Sequence, residues 1–351
     1  MNMKKKHTLA TVVVLAILCL LVYLQVHAWK KFDWATFWSR TEHVNWVYVT
    51  LSVAIIYFLY VVRAVRWRIF LKPICQTTTA RLLAPQFIGF TGLALLGRAG
   101  EVVRPYIIAK KENLTLTSQL GVWTVERIFD MGVVAIMYVV LGFVGDPLWA
   151  TLPNHNLAVQ VRWSAMVFLC GIVVLAAAAL VLRRSGNAIA DRLEHRLAGH
   201  SPKLAHGIRA KILAFTDGLQ IITDGSSFLQ LFSLSMVMWI GVAVAYWLLT
   251  HAYGGKLAEL GPASIMLMMV SAMFGSLIQL PGVGGGSQLA TIAVLNGIFG
   301  VENEIAVSCG MLIWICSFMV VVPVGLLLAH RERLSLREVT AAEQKEEQLA
   351  Q

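Results

Sequence analysis

The apolar positions of this chain fall in long blocks. Stretches of roughly twenty residues, the length that crosses a hydrocarbon core, lie at about 8–27, 46–62, 117–144, 160–182, 229–251 and 305–328. Two further stretches, 82–111 and 262–299, are built differently. Each holds an apolar run, a glycine-rich break and a second, weaker run; the breaks are GRAG at 97–100 and PGVGGG at 281–286. Such backbone is tolerated at membrane depth only where protein or a polar cavity covers it. The pattern predicts an all-α polytopic membrane protein with about six full transmembrane helices and two glycine-broken hairpins.

Charge tests how the broken stretches cross. The segment 63–81 carries Arg63, Arg66, Arg68, Lys72 and Arg81, and the segment 183–228 carries seven Lys and Arg from Arg183 to Lys211. The C-terminal tail opens with Arg331, Arg333 and Arg337. By contrast, 145–156 has no Lys or Arg and 252–261 has only Lys256. The positive-inside rule puts the first three in the cytoplasm and the last two outside. That holds if each broken stretch enters and leaves on one side, as a hairpin, either re-entrant or fully spanning. Three crossings separate the two hairpins, so they open to opposite faces. This is the layout of an inverted repeat, with the site expected where the broken elements meet near the midplane.

The N-terminus has a basic start and an apolar run. The run is long for a signal peptide and lacks a clean cleavage site, so it is read as a retained first helix. Both termini are then cytoplasmic. Lys30, Lys31 and Arg40 oppose the rule; Trp29, Trp34, Trp38 and Trp46 around them suggest an interfacial segment. Residues 1–330 form one membrane domain. Within it, 183–228 is a large cytoplasmic segment in which Leu204, Ile208, Ile212, Phe215, Leu219 and Ile222 recur at helical spacing. That segment suits an interfacial helix or one packed on the bundle. Residues 331–351 are a short cytoplasmic tail.

Composition agrees with this: 58% of the residues are hydrophobic and 14% charged. The net charge of +10 needs no nucleic-acid partner, because basic residues beside spans favour an anionic leaflet. The five cysteines show neither a CxxC nor metal-ligand spacing. No metal or cofactor is expected.

The candidate chemistry is a group of charges at membrane depth, where each is costly. Arg98, Glu101 and Arg104 belong to the first broken hairpin. Glu126, Arg127 and Asp130 sit at the inner end of the next span, with Glu126 and Asp130 one turn apart on one face. Three arginines balance three acids, so pairing around a wet cavity is the economical arrangement. A structural network of snorkelling helix-end charges is the plainer alternative. Gly97 and Gly100 offer backbone N–H groups to a polar ligand, and Arg suits phosphate through its bidentate fork. The second break, with Pro281, Gly282, Gly284, Gly285, Gly286 and nearby Gln288, has no charge. It suits an anion at a half-helix start, or close helix packing.

The run Arg98-Ala99-Gly100-Glu101-Val102-Val103-Arg104-Pro105 resembles the flippase-like family that includes the lysylphosphatidylglycerol synthase transmembrane domain. Glu126-Arg127 with Asp130, the Pro-Gly-x-Gly-Gly-Gly break and Arg63-x-x-Arg66-Trp67 resemble it too. The resemblance implies a bacterial inner-membrane protein that handles lipids with anionic or modified headgroups. Its partners would be membrane lipids and a separately encoded lipid-modifying enzyme. It adds Arg66 to the candidate substrate-binding residues. Many members have Pro near Leu96 and an acidic residue near Gln288, and this chain departs at both. It ends soon after His330, so the synthase's aminoacyl transfer is not expected, and the chain is read as no enzyme.

Lipid translocation is the leading function. In it Arg98, Arg104 and Arg127 receive the headgroup, and the three acids hold them. A membrane enzyme acting on a lipid or polyprenyl-phosphate carrier and a small-solute secondary transporter are the alternatives. Arg98→Ala, Glu101→Gln and Glu126→Gln are expected to stop transport while leaving insertion and folding intact.

Overall fold

The computed structural model describes residues 34–144, 156–198, 202–219, 225–277, 279–280 and 284–332. The predicted first helix at 8–27, Trp29, Lys30, Lys31, Pro281, Gly282 and the tail beyond 332 lie outside them. The described chain is helical apart from one short strand pair, which bears out the all-α polytopic reading. A short α1 (Trp34–Glu42) leads into α2 (Trp46–Leu71), whose N-cap Asn45 accepts a hydrogen bond from the Val47 N–H. The first hairpin follows: α3 (Thr79–Leu96), a 3-10 turn (Gly97–Val102) and α4 (Val103–Glu112). Then come α5 (Leu116–Val144), α6 (Asn156–Ala198), α7 (Pro202–Leu219), α8 (Gly225–His251) and the single-turn α9 (Gly255–Ala258). The second hairpin is α10 (Pro262–Gly275), strands β1 (Gln279–Leu280) and β2 (Gly284–Gly285), and α11 (Gly286–Gly297). The chain closes with α12 (Asn303–Trp314), a π-turn (Ile315–Met319) and α13 (Val322–Arg331).

Five described helices or helix runs are long and apolar enough to cross a membrane. At 29 residues α5 matches them in length but carries Glu126, Arg127 and Asp130. Both broken stretches fold back as hairpins, and although α3 is itself of spanning length, the other helical arms are shorter. In the first, Arg81 and Thr77 near the start of α3 bond Glu112 at the end of α4, at 3.1 and 2.9 Å. The 10-residue α4 is about 15 Å long and cannot span a core of about 30 Å. The arms of the second hairpin have 14 and 12 residues, about 21 and 18 Å, and are also too short. The re-entrant form therefore fits the second hairpin, both of whose helices are short.

Each hairpin is pinched by glycines. A Cβ on Gly100 would overlap the Gly92 carbonyl, and one on Gly275 would overlap the Gly286 carbonyl. Backbone contact this close requires glycine on the approaching strand of each hairpin. Gly97, at φ +64°, makes the left-handed exit from α3 that few other residues accept.

The last helical run is interrupted at residues 320–321, just before Pro323, which lacks an N–H. There the Tyr57 hydroxyl donates to the Val320 carbonyl at 2.7 Å, and the Thr91 hydroxyl to Val321 at 3.4 Å. α7 packs antiparallel on α6 and sends Phe215 and Leu219 into a core with Trp67, Phe70, Val125 and Leu231. A second core joins Val133 of α5 and Leu249 of α8 to α10, α11 and α12. Along α2, α5 and α8 alike, one helix end enters the first core and the other end the second. The polar cluster is set among residues of the first core, with Arg66 between Ala64 and Trp67 and Glu126 between Val125 and Phe129.

Candidate functional site

Glu126 and Asp130 project from one face of α5, and four arginines converge on that region. From α2, Arg66 donates to Glu126 and to Asp130, both at 2.5 Å, and to the Ser235 hydroxyl at 2.9 Å. From α4, Arg104 pairs with Glu126 and donates to Gln86 at 3.1 Å. Arg127 lies 3.6 Å from Glu126 and 3.4 Å from Asp130. Arg63, the fourth, comes one turn before Arg66 on α2. The indole N–H of Trp239 reaches Asp130 at 3.3 Å. Arg66 and Glu126 are fully buried, and Arg104 and Asp130 nearly so. Burying charge is tolerable only when each ion is paired and hydrogen-bonded, and these four are.

Beside this cluster lies a cavity of about 320 Å³. Arg63, Arg98, Glu101, Arg127 and Asp130 supply its charged lining. Tyr60, Trp239, Tyr246, Ser276, Ser287 and Ser317 contribute polar groups, and the remaining wall is apolar. A small recess lined by Arg104, Glu101, Trp123 and Arg127 adjoins it. The two hairpins meet at this cavity. Arg98, in the first break, pairs with Glu101 at 2.5 Å and donates to the Ser276 carbonyl beyond α10 at 2.9 Å.

Of the predicted residues, Arg98, Glu101, Arg127 and Asp130 line the cavity and Arg104 lines the recess. Arg66 and Glu126 stand behind the wall, where they fix their neighbours. Gln288 does not line the cavity; Ser287 beside it does. Gly100 and Gly286 are engaged in backbone packing, and Gly284 and Gly285 pair with Leu280 and Gln279. Glu126 is ten residues into α5, about 15 Å along it. One expectation needs correction, because the cluster does not balance. Arg63 and Arg66 raise it to five arginines (63, 66, 98, 104, 127) against three carboxylates (101, 126, 130). Arg63 was overlooked as a site residue because it opens a basic run that reads as a loop. Its spacing of three from Arg66, on one helical face, was the available signal.

The family described as lysylphosphatidylglycerol synthase TM region matches residues 9–325. The chain belongs to that family. The match spans every charged residue of the cluster. Over 288 residues the chain is also 23% identical to a UPF0104 membrane protein of Methanothermobacter thermautotrophicus, a similarity covering 81% of this chain and 83% of that protein. No solved structure matches. This member of the lysylphosphatidylglycerol synthase TM region family is therefore a multi-pass membrane protein built on a lipid-related membrane domain.

Proposed function

We propose that this chain translocates lipids across the bacterial inner membrane, taking a phosphate-bearing headgroup into the cavity. The observation that carries the reading is the meeting of the two hairpins at Arg98, inside a cavity with an excess of guanidinium groups. At about 320 Å³, near the lower end of ligand-pocket volumes, the space suits a headgroup and leaves acyl chains outside. The apolar wall strengthens each charge interaction by excluding water.

In this reading Arg98 and Arg127 contact the headgroup, with Arg104 at the adjoining recess. Arg66, Glu126 and Asp130 hold the guanidiniums at a fixed depth. A phosphate arriving at Arg98 competes with the Ser276 carbonyl for the same N–H groups. Exchange of that bond would release one hairpin tip from the other, which is a means of gating. Each hairpin, with the link and long helix after it, forms one half of an inverted repeat, and both termini are cytoplasmic.

The test is reconstitution in liposomes with labelled lipids, following leaflet asymmetry over time. Arg98 is partly exposed, so Arg98→Ala should keep the protein folded and lower translocation at least about tenfold, the scale of one charge-assisted hydrogen bond. Wild-type rates in Arg98→Ala would remove Arg98 from the path. A covalently altered headgroup would instead point to an enzyme, and solute uptake without lipid movement to a solute carrier.

A further inference from the structure

Arg63 is the cavity's odd cation. Arg66, Arg104 and Arg127 share Glu126 and Asp130, and Arg98 holds Glu101. Among the described residues Arg63 has no ion-pair partner. It lies instead against aromatic faces, with its guanidinium carbon 4.4 Å from the Phe90 ring centre and 5.8 Å from that of Tyr60. Aromatic faces hold a guanidinium in place without neutralising it. Of the acids facing the same space, Asp130 is committed to Arg66, Arg127 and Trp239 and Glu101 to Arg98.

We propose that Arg63 is the anion-selecting residue of this cavity, binding the phosphate of net-anionic lipids and rejecting zwitterionic ones. The proposal rests on reading the cavity as a headgroup site. An uncompensated charge in a low-dielectric cavity is a standing cost, and an anion that pairs with it relieves that cost. A zwitterionic headgroup brings the same phosphate but carries an ammonium into a space where Arg63, Arg98 and Arg127 outnumber Glu101 and Asp130, each of these acids already paired with an arginine. Like-charge repulsion there opposes its entry, so discrimination comes from the rejected ligand as much as from the accepted one.

Binding tests this apart from transport. Purified full-length protein in detergent is offered short-chain phosphatidylglycerol and short-chain phosphatidylcholine, with occupancy read by native mass spectrometry. Wild type should favour phosphatidylglycerol by about tenfold or more. Arg63→Met should bind the two alike and Arg63→Lys should keep most of the preference. Because Arg63 leaves no carboxylate stranded, Arg63→Met should melt no lower than wild type. Equal binding by wild type, or full preference in Arg63→Met, overturns the proposal. Inorganic phosphate is the soluble competitor. If it binds as tightly as phosphatidylglycerol and needs Arg63, the anion role stands and the lipid reading falls. Selective lipid binding without leaflet exchange in liposomes likewise supports Arg63 and removes translocation.

Discussion

Glu126→Gln is expected to destabilise the protein by roughly 3–5 kcal/mol, the range for breaking a buried ion pair by removing one member. Glu126 sits fully buried between Arg66 and Arg104, with Arg127 at 3.6 Å. An amide keeps the shape but removes the charge. Three guanidiniums would then share Asp130, which reaches Arg66 and Arg127 but has no bond to Arg104. The single amide oxygen could accept from Arg66 or Arg104 but would turn its NH2 toward the other, and Arg104 otherwise has Gln86 and the faces of Trp67 and Phe90. The measurement is the melting temperature of the purified variant, with Arg98→Ala as an exposed-charge control. An unchanged melting temperature in Glu126→Gln would mean that the buried network contributes little. The expectation drawn from sequence, loss of transport with folding intact, survives for Arg98 and Glu101 and is withdrawn for Glu126. Loss of transport in that variant alone would not distinguish a missing carrier group from a weakened bundle.

The second large effect is steric. Gly100→Ala should cost about 1–3 kcal/mol, as overpacking does in a close-packed interior, and should abolish transport. The added methyl falls on the Gly92 carbonyl, and a backbone atom has no rotamer to escape into. The 3-10 turn must therefore lift away from α3, carrying Arg98 and Glu101 out of register with Ser276. Gly171→Ala on α6 is the matched control. No atom lies within 4 Å of its Cβ position, so it should be neutral, or slightly stabilising through helix propensity. Equal stability of the two variants would refute the pinch.

Much of this architecture was readable because membrane physics restricts the choices. Apolar blocks of bilayer length become helices, and glycine breaks at depth become covered hairpins. The ends were less readable. Apolar content places the end of α2 near residue 62, where the arginines begin, yet the helix continues to Leu71. It continues because Arg66 finds Glu126 and Asp130, and Arg63 finds Phe90 and Tyr60. Apart from Tyr60, one turn back on α2, these partners are 60 or more residues away or on a neighbouring helix, and hydropathy alone cannot locate them. Arg68, on the other face, stays exposed, so one basic run divides by helical phase into site and surface. The glycines were readable as interruptions. Their roles as contact points were not, because each needs a partner eight or more residues distant, such as Gly92 for Gly100. The seven-arginine-and-lysine segment gave no sign that α6 runs unbroken from Asn156 to Ala198.

That helix has a practical bearing. Its 43 residues make a rod of about 65 Å, twice the thickness of the hydrocarbon core. α7 is strapped to its far end, where Arg209 meets Asp191 and Glu194. A protein of 38.7 kDa enclosed in a micelle gives an electron microscope little to align. The exposed end of this pair, at Asp191, Arg192 and His206, offers an epitope away from the cavity-lining residues, and an antibody fragment gripping it would serve as a fiducial.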